Sequence, residues 1–273
     1  MNITPKRNRE DFNEFLLEKI NLDSYRFKYL KDYLDKVILD ELPIYATSVL
    51  NVINDSWVLI LHGEMLLVYG NNWTQNQLVE ISEIFDLNKY TNFTLAGDYD
   101  LIDGIINFYE PKNFKIDKQR IFYETREIKT FDFDNLVISL GSLNQIKELA
   151  KMLQDYYHEE YNGLNEKSIE EMQNRIFSLV QTRKIYVLQD LNGGILSFCT
   201  IIDPDIGIMF TKKEYRNKGY AKIILSYCSN ILWQKNKIVY VMTDSRKPES
   251  NYVCEAVGFK PYYSWTMIKI NCG

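Results

Sequence analysis

Only two histidines and four cysteines occur in the 273 residues, and Cys199, Cys228, Cys254 and Cys272 form no CxxC pair and have no histidine neighbour. Zinc ribbons, zinc fingers, thioredoxin-type exchange and histidine relays therefore have no support, no metal is expected, and the expected setting is reducing and cytoplasmic. Glycine and proline are scarce at 12 and 6 residues, which excludes a low-complexity chain. Positive charge is not in excess. The 32 Lys and Arg face 37 Asp and Glu, a net charge of -5, so nucleic acid is not an expected partner. No apolar run is long enough to span a bilayer, and Met1 to Glu10 lack the apolar core of a signal peptide, so a soluble chain without membrane attachment is expected.

What is present is ordinary globular material: 46% hydrophobic and 25% charged residues, with 14 Phe, 20 Tyr and 4 Trp suited to half-buried strand positions. A chain of this length makes about one or two domains and buries roughly three quarters of its unfolded surface. The first part reads as a charged helix over Asp11 to Leu39 and a hairpin around His62-Gly63-Glu64. A helix follows, opened by Thr74 and Gln77 as a capping box, with Leu78, Ile81 and Phe85 on one face. Then come a strand from Phe93, a short apolar helix over Leu101 to Phe108 and a strand over Arg120 to Ile128.

The pattern loosens around Lys129 to Asn135, which sets an expected boundary between residues 1–132 and 133–273. After it, Val137 begins a strand, and Ser142 with Gln145 opens a helix whose Ile146, Leu149, Ala150, Leu153 and Tyr157 share a stripe. Ser168 with Glu171 opens another, with Ile169, Met172, Ile176 and Leu179 as its apolar face. Two strands joined through Asn192-Gly193 complete the approach.

The segment from Ile206 to Ala221 passes from an apolar strand through a basic loop into an amphipathic helix whose expected stripe is Ala221, Ile224, Leu225, Cys228 and Leu232. A loop with glycine at a helix entrance leaves backbone N–H groups and the positive end of the helix dipole facing one spot, which suits an anion. Gly219 allows close approach, Ala221 keeps the first turn small, and Arg216 and Lys218 add charge.

Arg216-x-x-Gly219-x-Ala221 resembles the pyrophosphate-binding motif of the GNAT superfamily of acyl-CoA-dependent N-acetyltransferases. Ser250-Asn251 through Gly258-Phe259, after the strand Ile238 to Asp244, resembles that superfamily's second signature, and the likeness covers about Val137 to Ile270. It implies an α/β fold with a mixed sheet, GNAT-like in the C-terminal half, and a smaller, related, degenerate α/β domain in the N-terminal half. It also implies acetyl-CoA as cofactor, with pyrophosphate on the amides of Asn217, Lys218, Gly219, Tyr220 and Ala221, and Asn251 from the second signature. An amide of Ile208, Met209 or Phe210 would hold the oxyanion. Transfer would go to a primary amine of a small molecule, amino acid or peptide by direct attack, in a monomer or a homodimer. Where many relatives carry a tyrosine that protonates the leaving thiolate, this chain has Cys254, and the nearest phenol, Tyr252, points away. Candidate bases are Asp244 at a strand end and His158 or Glu159 in the loop after the first helix. Selectivity for the acceptor is sought in Gln154 to Leu164. The alternative is an inactive acyl-CoA-binding sensor or interaction module.

Overall fold

The computed structural model describes residues 25–34, 44–49, 56–62, 65–84, 92–111, 113–164 and 166–270. The chain divides into two compact units. One runs to Phe122 and adds Asp244–Arg246 and the residues from Tyr263 on; the other comprises Tyr123–Thr243 and Lys247–Tyr262. The expected division at 132/133 differs from this at both ends, because the last strand leaves the second unit to complete the sheet of the first.

In the first unit, α1 (Lys28–Leu34) precedes β1 (Ile44–Val49), β2 (Ser56–His62) and β3 (Leu66–Asn71), which pair antiparallel in that order. Of the charged helix expected over Asp11 to Leu39, only the α1 stretch falls within the described residues, and the tip of the expected hairpin at Gly63 and Glu64 lies outside them. Helix α2 (Gln75–Ile84) crosses to β4 (Phe93–Asp98), which runs parallel to β3. Its entrance is closed as the sequence implies: Gln77 Oε1 accepts from Thr74 N–H at 2.8 Å. Leu78 and Ile81 are buried, while Phe85 lies outside the described residues. After α3 (Tyr99–Tyr109) comes β5 (Phe114–Thr125). The end of β11 (Lys260–Ile270) pairs antiparallel with β4, from Trp265 opposite Asp98 to Ile270 opposite Phe93. One core of this unit packs α2 and α3 on a single face of the strands through Val68, Leu78, Leu95, Leu101, Ile105 and Ile268.

The second unit begins with β6 (Leu136–Leu140). The Ser142–Gln145 capping box is formed, Ser142 N–H donating to Gln145 Oε1 at 3.0 Å, but it opens a short 3-10 turn ahead of α4 (Ile146–Glu160). Helix α5 (Ile169–Gln181) is capped by Ser168, whose hydroxyl accepts from Glu171 N–H at 3.1 Å. Its buried residues are Met172 and Ile176, and Ile169 faces solvent instead of the core. Strands β7 (Ile185–Asp190), β8 (Ile195–Ile202) and β9 (Asp205–Thr211) form an antiparallel meander with β6 at its edge. In the β7–β8 turn Gly193 alone takes the positive φ, at 84°, and Asn192 does not.

Helix α6 (Tyr220–Asn236) then crosses to β10 (Val239–Asp244), parallel to β9, and α7 (Pro248–Val257) leads into β11. In α6, Ile224, Leu225, Cys228 and Leu232 are buried as the periodicity implies, with Ala221 half-buried. Helix α7 starts with Pro248 in its first turn, two residues ahead of Ser250, and ends at Gly258 in the left-handed region at φ 113°. No helix among the described residues is long and apolar enough to cross a membrane.

Candidate active site

Strands β9 and β10 pair only at Asp205 and Tyr240. Beyond that point β9 has a free edge, and a bulge decides what faces it. Between the pairs Cys199–Met209 and Ile201–Ile206, β8 advances two residues and β9 three, so the extra residue sits on β9 near Gly207 and Ile208. The Thr200 hydroxyl satisfies the bulge: it accepts from Ile208 N–H at 2.7 Å and donates to Ile208 O at 3.2 Å. A Cβ on Gly207 would collide with that same oxygen, which is why glycine stands there.

The expected contribution of Ile208 is therefore corrected, since its amide is spent inside the strand pair. Phe210 is also turned inward. It pairs with Phe198, its carbonyl accepts from Ser197 Oγ at 2.9 Å, and Lys212 N–H two residues on reaches Leu196 O at 3.1 Å. Backbone direction alternates along a strand, so Met209 is the one of the three that turns its N–H to the free edge. Thr200 and Gly207 carry no motif of their own. Only the pairing across 7 and 8 residues of sequence reveals them.

At the entrance of α6, Gly219 adopts φ 86° as N-cap, and Asn217 is also in the left-handed region at 63°. Among the described residues, the N–H groups of Asn217, Lys218, Gly219, Tyr220 and Ala221 donate to no protein acceptor. The neighbours on either side are engaged: Arg216 N–H reaches Lys213 O at 3.3 Å, and Lys222 and Ile223 return to Gly219 O at 3.0 and 3.2 Å. A Cβ at Gly219 would meet nothing within 4 Å. Five consecutive donors, an open approach and the positive end of a 17-residue helix make a seat that fits a diphosphate. Lys218 lies over the Tyr215 ring, 5.3 Å from its centroid.

Arg216 is not waiting free beside that seat. Its guanidinium binds both carboxylate oxygens of Glu159, at 3.0 and 2.8 Å, donates from Nε to Thr211 O at 3.1 Å and covers the Phe210 ring. Glu159 and His158 sit in the last turn of α4 and not in a loop, and both line a cavity of about 470 Å³ together with Asp155, Phe210 and Lys213. Three of those residues come from the Gln154 to Leu164 stretch. His158 is exposed, with Nδ1 3.2 Å from Glu166. Lys247 anchors the same helix end through Glu160 at 2.7 Å.

Three other sequence expectations change. Cys254 is 2% exposed, and burial first, then the charges of Glu255 and the Cys199 thiol, push its pKa up to about 12. A thiol sealed under α7 cannot reach a leaving group, so Cys254 is a core residue. Asp244 is held by Arg246, through Nε at 3.0 Å, a second guanidinium nitrogen at 2.8 Å and the backbone N–H at 2.9 Å. Burial pushes its carboxyl up, but these bonds and the charges of Arg246 and Arg120 outweigh it and leave the pKa below the usual carboxylate range. A carboxylate stabilised in this way is a poor base, and it belongs to the first unit. Asn251 accepts a hydrogen bond from the Thr243 hydroxyl, which ties α7 to β10. Among the described residues no cluster of His, Cys, Asp or Glu could hold a metal ion.

The fold is that of solved structures named as GCN5-related and GNAT-family acetyltransferases. A GCN5-related N-acetyltransferase from Sphaerobacter thermophilus superposes with TM-score 0.52 at 11% identity, over 80% of this chain and 78% of that one. A GNAT-family acetyltransferase from Colwellia psychrerythraea gives 0.51 at 12%, over 89% and 95%. A Drosophila protein gives 0.56 at 12%, over 98% and 99%. At such identities the likeness is one of fold. No protein-family model and no curated protein matches the sequence.

Proposed function

We propose that the protein transfers an acetyl group from acetyl-CoA to a primary amine of a small molecule, amino acid or peptide by direct attack. The observation that carries this reading is the row of five unengaged amides from Asn217 to Ala221 under the open face of Gly219. Bound acetyl-CoA supplies the thioester carbonyl that the amine attacks. The amides and the α6 dipole would hold its pyrophosphate, with Lys218 adding charge. Met209 N–H, on the edge that β10 leaves, would donate to the thioester oxygen, an interaction that gains strength as negative charge develops there. His158, exposed at the cavity with Nδ1 toward Glu166, offers its other nitrogen for the amine's proton. With Cys254 buried, water returns a proton to the thiolate. The first unit, which also carries a parallel strand–helix–strand crossover, reads as a degenerate copy.

Isothermal titration with CoA and acetyl-CoA tests the seat. Wild type should bind both, and Gly219→Glu, which places an anion over the amides, should lose about 100-fold in affinity, about 2.7 kcal/mol, with its unfolding midpoint recorded to show that the fold survives. Equal binding by the two proteins overturns the reading. A second reading, a CoA-binding module without turnover, is favoured by the burial of Cys254 and the capture of Asp244. It predicts CoA binding with no release of free thiol across an amine library.

A further inference from the structure

The guanidinium that an incoming diphosphate would meet first is already committed to a carboxylate. Arg216 directly precedes the free amides, yet one of its terminal nitrogens donates to both carboxylate oxygens of Glu159, with Lys213 adding a longer contact at 3.6 Å. Glu159 belongs to the cavity wall. Of the other carboxylates there, Glu148 is balanced by Lys212 at 2.6 Å and Asp155 by Lys151 at 3.0 Å, while Glu214 has no ion pair among the described residues and is not tied to Arg216. Of the three ion pairs, only Arg216–Glu159 includes the residue that directly precedes the five amides.

Magnitudes favour an exchange. The Arg216 and Glu159 side chains are 37% and 29% exposed, and a pair so solvated is worth at most about 1 kcal/mol. A phosphate presents oxygens in the geometry a guanidinium prefers, and here five amides and a helix dipole hold it beside Arg216. Losing Arg216 leaves Glu159 with Lys213, whose side chain is 74% exposed. The wall then gains a carboxylate held only by that exposed lysine, next to Phe210 and His158.

We propose that Glu159 is the residue that reads the acceptor's ammonium group, masked by Arg216 in the free protein and unmasked when a diphosphate takes Arg216. This rests on the diphosphate seat proposed above. The occupant it selects is a cationic primary amine, and the donor enters first because until then the carboxylate is occupied. Linkage makes the effect reciprocal: whatever weakens Glu159's hold on Arg216 while leaving the guanidinium in place tightens the diphosphate.

The experiment is a double-mutant cycle by titration of the full chain with CoA and with inorganic pyrophosphate, supported by unfolding midpoints. Glu159→Gln should bind CoA up to about fivefold tighter, the fold-change equivalent to the pair's worth of about 1 kcal/mol. Arg216→Met should bind more weakly, and adding Glu159→Gln to it should change nothing further, whereas a general charge effect of Glu159 on an anion would persist there. In turnover, Glu159→Gln should raise KM for the amine without raising KM for acetyl-CoA. If wild type binds CoA and Glu159→Gln binds it equally or more weakly, the coupling is wrong. If wild type binds neither CoA nor pyrophosphate, the seat itself is wrong and the coupling falls with it.

Discussion

Each unit contains one parallel crossover, β3–α2–β4 in the first and β9–α6–β10 in the second, and they treat the same two openings differently. In the first, three successive pairs, Leu66–Leu95, Leu67–Ala96 and Val68–Gly97, zip the strands. Where the zipper ends, Asp98 fills the gap: its carboxylate accepts from Gly70 N–H at 2.7 Å, from Arg26 at 2.6 Å and from Tyr263 at 2.5 Å. The helix entrance is closed by Thr74 and Gln77. In the second, one pair joins the strands, and a Cβ at the Gly219 helix entrance would meet nothing within 4 Å among the described residues. A parallel crossover always leaves a helix N-terminus and a strand end to be satisfied. The first unit satisfies them from its own residues, and in the second they stay open among the described residues.

Four substitutions would break or sharpen that contrast, in order of expected size. Gly97→Ala should cost the most, about 4 kcal/mol, since a Cβ there drives into the Val68 backbone and the φ of 150° resists an L side chain; the urea midpoint reads it. Arg26→Met should cost about 3 kcal/mol at neutral pH by stranding the Asp98 carboxylate. Burial already holds the Asp98 pKa above the ordinary carboxylate value against the pull of Arg26, Tyr263 and Gly70. The folded state therefore binds that proton more tightly than the unfolded chain, and stability falls as pH rises through the folded pKa. The Arg26→Met loss should accordingly shrink as the pH falls through the raised folded pKa of Asp98 and the carboxyl takes up its proton, and a loss independent of pH would refute this account.

Thr200→Val should cost about 2 kcal/mol by leaving the Ile208 N–H without a partner in the bulge, and denaturation with and without CoA would show whether the Met209 edge moves as well. Gly219→Ala should be mildest, about 1 kcal/mol from the positive φ alone, because its Cβ enters open space. A cost for Gly219→Ala as large as that of Gly97→Ala would mean that the second entrance is packed after all.

Short-range features were legible. Thr74 with Gln77, Ser168 with Glu171 and Gly258 as a C-cap each act over at most four residues of backbone. The strand–loop–helix passage through Gly219 was legible for the same reason. The roles of Cys254, Asp244 and Ile208 were misjudged because what disqualifies each is a neighbour that no local pattern announces: the core around α7, the Arg246 fork and the Thr200 hydroxyl.

The sequence by itself determined the elements and the donors at the α6 entrance, since helix caps and exposed amides follow from residue type and local hydrogen bonding. Only the tertiary structure decided that Arg216 meets Glu159 across 57 residues. It alone decided that the chain's final strand joins the first unit, and which strand amide keeps a free edge. Those outcomes depend on which distant surfaces pack together, and packing energy is a property of the whole chain.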